Sequence, residues 1–501
     1  MVDTAQTGIA DKTSIGFVWS FLQVVLSKIS GIVGQVCLAY FLVPDDMGMV
    51  SLAITVSAFA GLMQKFGLRD VLIHRQAKFH LWQNSAFWLS IVIGVLSAVF
   101  MLLAAPLAAY FYEQPKLIGL IGVLALFVMF DSASSVPAAK LQSQMQFRLI
   151  ATVNTVVAFF GVLLSVALAY YGFGPYSIVL PQPIMALAKC LIFFFKTKVR
   201  IRRDFEVRRW RYLAGKASIL LLTYVVVTIT SHGGYLIIGW LYGTHVVGMY
   251  YFAFNLSTQA FSLLAMNLAI VLFPALQRLH QQPQRQIEAF HRAACSLVAI
   301  GLPICFLQAA AADSLIYLLF EPKWYPAIPL LQILSIGITF RIIVLPVTSL
   351  LKSQGRFWTL FIFFAINAFM YVVMVTFGAN LAENIGASIA VAIYSVMLGF
   401  GALAIGMWPS GKSIRQAFQV FIAPLVAGIA AFVPARMAAS LVPPVAAEHW
   451  IRILVITTVS SSLYLIVARL IMPATVAEVT NQAKRILTPF LRRFRPMEST
   501  A

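Results

Sequence analysis

Two basic residues lie deep within long apolar runs of the sequence. Lys28 follows Lys12 by 16 residues, and Arg341 precedes Lys352 by 11. If each run forms a helix that crosses a membrane, a rise of about 1.5 Å per residue places both charges near the middle of the bilayer. A charge there costs roughly 2.5–3.5 kcal/mol, so these bases need an anionic partner or an aqueous cavity. Their chemistry suits a phosphate or pyrophosphate group.

Asp131 is the only acid within the apolar runs. A structural ion pair between Asp131 and either Lys28 or Arg341 is the simpler alternative to a binding site. Two bases and one acid would still leave a net positive charge, which suits an anionic substrate. Lys189 lies nearer the predicted cytoplasmic end of its run, where a lysine can snorkel to water, and is interpreted as structural.

Polar side chains accompany the two bases. The run that contains Lys28 also contains Gln35, and further runs contain Asn154, His232, Asn255 and Gln259. One interpretation is that these groups line a wet cavity that accepts sugar hydroxyls. The other is that they only hydrogen-bond one helix to the next. His232 could also carry a coupling proton. With Asp131 and the two bases, these residues form the predicted substrate-binding site.

The stretch GMWPSGKS, residues 406–413, satisfies the phosphate-loop pattern G-x-x-x-x-G-K-[ST]. Such a loop binds ATP only between a buried strand and the N-terminus of a helix. Here an apolar run ends within the pattern, and no strand precedes it. We therefore expect no ATP, and Lys412 is interpreted as a cytoplasmic anchor.

Other chemistry is not indicated by the sequence. Four cysteines occur singly, without the paired spacing of a zinc or redox site. The zinc-protease pattern H-E-x-x-H and the nucleophile elbow G-x-S-x-G do not occur, and no carboxylate pair faces a connecting loop. We predict no metal, no cofactor and no enzymatic activity.

The elements that position these residues follow from composition. The chain is 61% hydrophobic and only 10% charged, which indicates an all-α integral membrane protein. Apolar runs predict about 14 transmembrane helices. They fall at about 14–42, 49–66, 84–112, 117–137, 150–171, 176–195, 214–240, 249–273, 293–312, 327–350, 357–378, 385–408, 419–438 and 451–472.

The net charge of +20 could suggest a nucleic-acid partner. However, the connections alternate, with 27 Lys and Arg in one set and 4 in the other. This asymmetry is the positive-inside signal of a membrane protein. It predicts cytoplasmic N- and C-termini and no nucleic-acid partner.

A shift of 200 residues aligns the chain with itself, so that Gly48-Met49 meets Gly248-Met249. An offset of six helices predicts two pseudo-symmetric six-helix lobes that face each other across a cleft, plus two extra helices. The predicted organisation is a cytoplasmic N-tail (1–13), an N-lobe (14–196), a basic linker (197–213), a C-lobe (214–408), two further helices (409–472) and a basic cytoplasmic tail (473–501).

Several blocks of the chain resemble a known family. They are FLVPDDMGMVSLA, GLRDVLIHR, IGWLYGTHVVGMYYFAFNL, VLFPALQRL and FEPKWYPAIPLLQILSIGITFRIIVLPVTSLLKSQGR. Together they resemble the polysaccharide transporter branch of the multidrug/oligosaccharidyl-lipid/polysaccharide exporter superfamily, the Wzx-type flippases. The last block, which contains Arg341, is similar to the colanic-acid-exporter type.

The resemblance implies a function and partners. It implies a flippase of the bacterial inner membrane that carries undecaprenyl-pyrophosphate-linked oligosaccharide repeat units for extracellular polysaccharide synthesis by alternating access. Membrane lipids, a polysaccharide polymerase and chain-length proteins would be its partners. The alternatives are a cation or drug antiporter of the same superfamily and a membrane enzyme of polysaccharide assembly. The sequence leaves the sugar, the coupling ion and the oligomeric state open.

Overall fold

The computed structural model describes residues 23, 26–27, 29–65, 72, 79–144, 146–197, 218–279, 281–407, 414–443 and 448–481. Within these ranges the chain is helical and has no β-strand. A helix satisfies its own backbone hydrogen bonds and is therefore stable in hydrocarbon. Large apolar side chains such as Leu103, Phe369 and Leu470 are exposed on the helix surfaces, as expected where lipid covers them. The prediction of an all-α membrane protein is confirmed.

The helices follow one another through short connections. The first half of the chain contains α1 (Ile29–Phe41), α2 (Pro44–Ala60), α3 (Phe79–Phe111), α4 (Lys116–Ser143), α5 (Phe147–Tyr170) and α6 (Tyr176–Thr197). The second half contains α7 (Ser218–Arg278), α8 (Pro283–Leu319), α9 (Pro322–Ser353), α10 (Phe357–Met407), α11 (Ile414–Ser440) and α12 (Glu448–Ile471). A short helix at 473–481 follows. Ten helices of the described ranges are long and apolar enough to cross a membrane.

Two of these helices are interrupted by non-helical backbone. In α7, Gly243 has φ 77° and ψ −173°, a left-handed conformation that glycine adopts without steric cost. In α10, Ala382 and Glu383 leave the helical region. An unbroken helix of 61 residues would be about 90 Å long, three times the hydrocarbon thickness. Each break therefore divides its element into two limbs.

The chain forms two compact units. Unit 1 comprises the described residues of Met1–Gln259, Leu319–Leu330 and Phe357–Val391. Unit 2 comprises those of Ala260–Leu318, Leu331–Arg356 and Ala392–Ala501. Both units are assembled from segments that are distant in sequence.

Two helix starts pack tightly against each other within unit 1. A Cβ added at Gly48 would lie 2.8 Å from the carbonyl carbon of Thr244, and one added at Gly248 would lie 2.7 Å from that of Pro44. The two contacts are reciprocal and follow the 200-residue shift. Asp45 of α2 accepts a hydrogen bond from the Thr244 hydroxyl at 2.8 Å and lies 3.1 Å from the His245 ring. Only glycine permits this approach.

The end of α1 is completed by a distant segment of unit 1. The indole N–H of Trp324 donates to the carbonyl of Ala39 at 2.9 Å, and Nζ of Lys323 donates to the carbonyl of Tyr40 at 3.0 Å. Trp324 is fully buried and stacks on Phe252, with ring centroids 4.2 Å apart. These bonds supply partners for carbonyls that a helix end leaves unsatisfied.

Candidate functional site

Arg341 lies on a short 3₁₀ stretch, Thr339–Ile343, in the middle of α9. Its Nε donates to the hydroxyl of Ser395 at 2.9 Å, and its guanidinium carbon lies 5.4 Å from the ring centroid of Tyr394. Its Nη2 is buried and has no hydrogen-bond partner among the described residues. The guanidinium is therefore held in place with one edge open to an acceptor such as a phosphate oxygen.

Asp131 of α4 makes an ion pair with Lys189 of α6, in which Nζ lies 2.6 Å from the carboxylate. The partner of Asp131 within the described residues is thus Lys189, and not Arg341 as one alternative predicted. The structure also corrects the interpretation of Lys189 as a snorkelling side chain. Lys189 lies eight residues before the end of α6 at Thr197, about 12 Å inside the helix.

The ion pair faces a polar cavity of about 360 Å³ within unit 1. Its wall includes Asn154 of α5 and the hydroxyls of Ser132 and Ser135. Nε2 of Gln64 donates to Ser132 Oγ at 2.7 Å and to the carbonyl of Val128 at 2.8 Å. The structure therefore brings together two predicted residues, Asp131 and Asn154, and adds Gln64 and Lys189.

The polar residues of α1 and α7 make contacts typical of helix packing. Nε2 of Gln35 reaches the carbonyl of Phe252 at 3.4 Å, and the side chain of Asn255 hydrogen-bonds Tyr251. The ring of His232 lies 6.1 Å from that of Tyr235, centroid to centroid. Gln259 is half-buried further along the same helix. These contacts favour the interpretation that such groups join helices, and a role toward substrate stays a prediction for them.

Some predicted features lie outside the described residues. Lys28 is one of them. Of the phosphate-loop pattern, only Gly406 and Met407, at the end of α10, are described. Within the described ranges no group of three or more His, Cys, Asp or Glu side chains is placed to hold a metal ion.

A second cavity of about 360 Å³ lies in unit 2 and is apolar. It runs between α8, α11 and α12 and reaches the helix at 473–481. Its walls include Pro303, Leu307, Phe432 and Leu465, together with Val476 of the helix at 473–481. We refer to it as the apolar groove. Its lining suits a hydrocarbon chain.

Comparison with known sequences gives a consistent set of relatives. The family model described as "Polysaccharide biosynthesis protein" matches residues 37–329. The lipopolysaccharide biosynthesis protein WzxC of Escherichia coli is 22% identical over 81% of this chain and 84% of its own length. The succinoglycan biosynthesis transport protein ExoT of Rhizobium meliloti is 23% identical over 68% of this chain and 69% of its own.

Comparison with solved structures shows the fold. The lipid II flippase MurJ, in an inward closed conformation, matches with a TM-score of 0.72 at 12% identity, over 91% of this chain and 98% of that one. An inward-facing multidrug resistance transporter of the MATE family matches with a TM-score of 0.60 at 13% identity, over 80% of this chain and 95% of that one. The chain therefore shares the fold of these two proteins.

Proposed function

Because the chain belongs to the polysaccharide biosynthesis protein family, we propose that it is a flippase for lipid-linked oligosaccharides. It carries undecaprenyl-pyrophosphate-linked repeat units from the inner to the outer leaflet of a bacterial inner membrane. The names of its relatives and the MurJ-like fold support a transporter rather than an enzyme. The polymerase and chain-length proteins that use its product are its proposed partners.

The observation that carries the proposal is the state of Arg341. A fixed guanidinium with an open, buried Nη2 lies halfway along a membrane-spanning element. An acceptor oxygen is required to satisfy this N–H, and a pyrophosphate supplies several. Arg341 therefore binds the pyrophosphate in the proposed cycle, together with Lys28. A neutral or cationic substrate would leave this charge uncompensated.

The membrane topology of the proposal has about 14 spans in two six-helix lobes, with boundaries at 14–196 and 214–408. The breaks at Gly243 and at Ala382-Glu383 support it, because each divides an overlong helix into two limbs. The reciprocal contacts of Gly48 and Gly248 support the pseudo-symmetry. Both termini are cytoplasmic in this topology. The contact of α2 with α7 then lies on the outer side, where alternating access requires a gate.

The apolar groove provides a place for the polyprenyl chain. Burial of hydrocarbon stabilises binding by about 0.8 kcal/mol per CH₂ group. The groove lies against α11 and α12, the two helices beyond the lobes. The lipid can therefore stay in this groove while the sugars cross through the polar interior.

The antiporter alternative has less support. A transporter of cations would place unpaired carboxylates in its interior, whereas Asp131 is neutralised by Lys189. A membrane enzyme of polysaccharide assembly would use a different set of residues, and neutralising Arg341 would leave its chemistry intact.

Mass spectrometry of lipid-linked oligosaccharides in cells that lack the protein tests the proposal. A complete repeat unit should accumulate on the cytoplasmic leaflet. Wild-type protein should release it, and Arg341→Ala should not. Arg285→Ala is the control, because Arg285 is exposed and its hydrogen bond is to the nearby surface residue Gln282. An incomplete sugar, or a unit that reaches the outer leaflet without polymerising, would instead identify an assembly enzyme.

A further inference from the structure

The polar cavity of unit 1 has the properties of a binding site rather than of a packing defect. Its volume of about 360 Å³ lies within the range of small-molecule pockets, roughly 300–1,000 Å³. The ion pair is incompletely covered, since 23% of the Lys189 side chain and 37% of the Asp131 side chain are exposed. Ser135 Oγ is buried at this site without a hydrogen-bond partner among the described residues. A cavity with this lining is not dry.

The charges of the cavity cancel. Among the described residues that line it, Lys189 and Asp131 are the ionisable ones, and they neutralise each other at 2.6 Å. An anion would have to displace Asp131 from Lys189, and a cation would have to displace Lys189 from Asp131. The ligand that fits without breaking the pair is therefore uncharged.

The hydrogen-bonding groups of the cavity are of mixed type. Asp131 accepts, Lys189 donates, and the serine hydroxyls do both. A sugar hydroxyl is likewise both a donor and an acceptor, so neighbouring hydroxyls can bind such a set. Ile150 and Phe193 add apolar wall, which suits the C–H face of a pyranose ring.

From these properties we propose that the cavity binds one uncharged sugar residue of the transported repeat unit. The proposal rests on the proposed flippase function and adds a second subsite to it. Arg341 binds the anionic pyrophosphate, and the cavity of unit 1 selects a neutral sugar. Asp131 and Lys189 provide its contacts, and Asn154 lies in its wall.

Thiol protection tests this subsite independently of transport. The Asn154→Cys variant of the full chain, in detergent, is treated with a small charged methanethiosulfonate in the presence of glucose, galactose, N-acetylglucosamine or glucuronate. Peptide mass spectrometry assigns the modified thiol, so the four native cysteines stay in place. The control is Gln146→Cys, in the exposed connection before α5.

A neutral sugar at about four times its dissociation constant should slow labelling of Asn154→Cys about fivefold, from mass action alone. Glucuronate should not protect, and labelling of Gln146→Cys should not change. Absence of labelling without sugar would show that the cavity excludes water and would overturn the proposal. Labelling that no neutral sugar slows, or that glucuronate slows equally, would also overturn it.

The charge argument has its own test in the same assay. Asp131→Asn leaves Lys189 without its counter-charge, so glucuronate should now protect Asn154→Cys. The double substitution Asp131→Asn with Lys189→Gln restores neutrality and should restore the preference for neutral sugars. If the single variant does not fold, the double variant still decides, because protection by glucuronate there would contradict the proposal.

The two proposals fail in distinguishable ways. If cells that lack the protein accumulate no cytoplasmic-leaflet repeat unit, the flippase function fails, whatever the thiol assay shows. If the repeat unit is trapped and Asn154→Cys is not protected, the flippase function stands and the sugar subsite fails.

Discussion

Replacement of Gly48 by alanine should separate α2 from α7. The added Cβ would lie 2.8 Å from the carbonyl carbon of Thr244 and closer to its oxygen. An ordinary contact of 3.4 Å with the carbonyl carbon alone requires the two helices to move apart by about 0.6 Å, and relief of the nearer oxygen requires more. Overpacking costs about 1–3 kcal/mol, and we expect the upper limit because the obstructing atoms are backbone. Alanine recovers about 1 kcal/mol of helix propensity, so the net loss is about 2 kcal/mol.

The matched control is Gly122→Ala in α4. Its added Cβ would meet only Leu102, at 3.9 Å, so the control gains helix propensity without a clash. Thermal unfolding in detergent should show Gly48→Ala about 5 °C below wild type and Gly122→Ala at or above it. In the proposed cycle, Gly48→Ala also favours the state in which this contact is open. Release of trapped lipid-linked oligosaccharide should therefore slow in Gly48→Ala alone.

Unfolding of Gly48→Ala and Gly122→Ala at the same temperature would contradict this prediction. That result would mean that α2 and α7 shift at no cost, and that their close approach does not determine the packing of unit 1. If Gly48→Ala unfolded at a lower temperature but transported as fast as the wild type, the tight packing of α2 against α7 would be supported, and a role of this contact as a gate would be contradicted.

Three further outcomes are expected. Burial would raise the pKa of Asp45, but the hydrogen bonds from Thr244 and His245 of α7 outweigh burial and hold it below its ordinary value. Ionised Asp45 therefore stabilises the protein above about pH 4, and this contribution is lost at lower pH. Between about pH 6 and about pH 3, the free energy of unfolding should fall less steeply with falling pH in Asp45→Asn than in the wild type. Gln286→Ala removes buried hydrogen bonds to α7 and α9 and should lower the free energy of unfolding by about 2 kcal/mol, whereas Gln281→Ala, at an exposed site, should not. Arg341→Lys keeps the charge but loses the Nε bond and the ring contact, so it should transport no better than Arg341→Ala; wild-type transport would show that charge alone suffices.

The fold was largely predictable because hydrocarbon permits few solutions. Long apolar runs can only be helices when lipid surrounds them. The sequence also predicted connections near 241–248 and 379–384, and the backbone breaks of α7 and α10 lie there, at Gly243 and at Ala382-Glu383. An apolar run that is longer than the bilayer is thick must reverse direction within its length. The polar or glycine-containing interruption is the place where the chain can do so.

The candidate site was less predictable, because its contacts join residues that are distant in sequence. Asp131 and Lys189 are 58 residues apart on different helices, and no local spacing connects them. Lys189 resembled a snorkelling lysine because it lies in the second half of its span. Gln64 carried a weak signal, as a polar residue near the end of the predicted span at 49–66. Arg341 was recognisable because its distance from both ends of an apolar run can be read from the sequence alone, without knowledge of the residues it contacts.

The bonds that complete the end of α1 have a consequence for biosynthesis. Trp324 donates to a carbonyl 285 residues earlier in the chain. At about 5–20 residues per second, a ribosome needs roughly 15–60 s to make the intervening segment. During that time the last carbonyls of the first helix lack their final donors. The end of α1 therefore reaches its native hydrogen bonding only after α9 has begun to emerge, and a nascent chain that stops before Lys323 leaves that end unfinished.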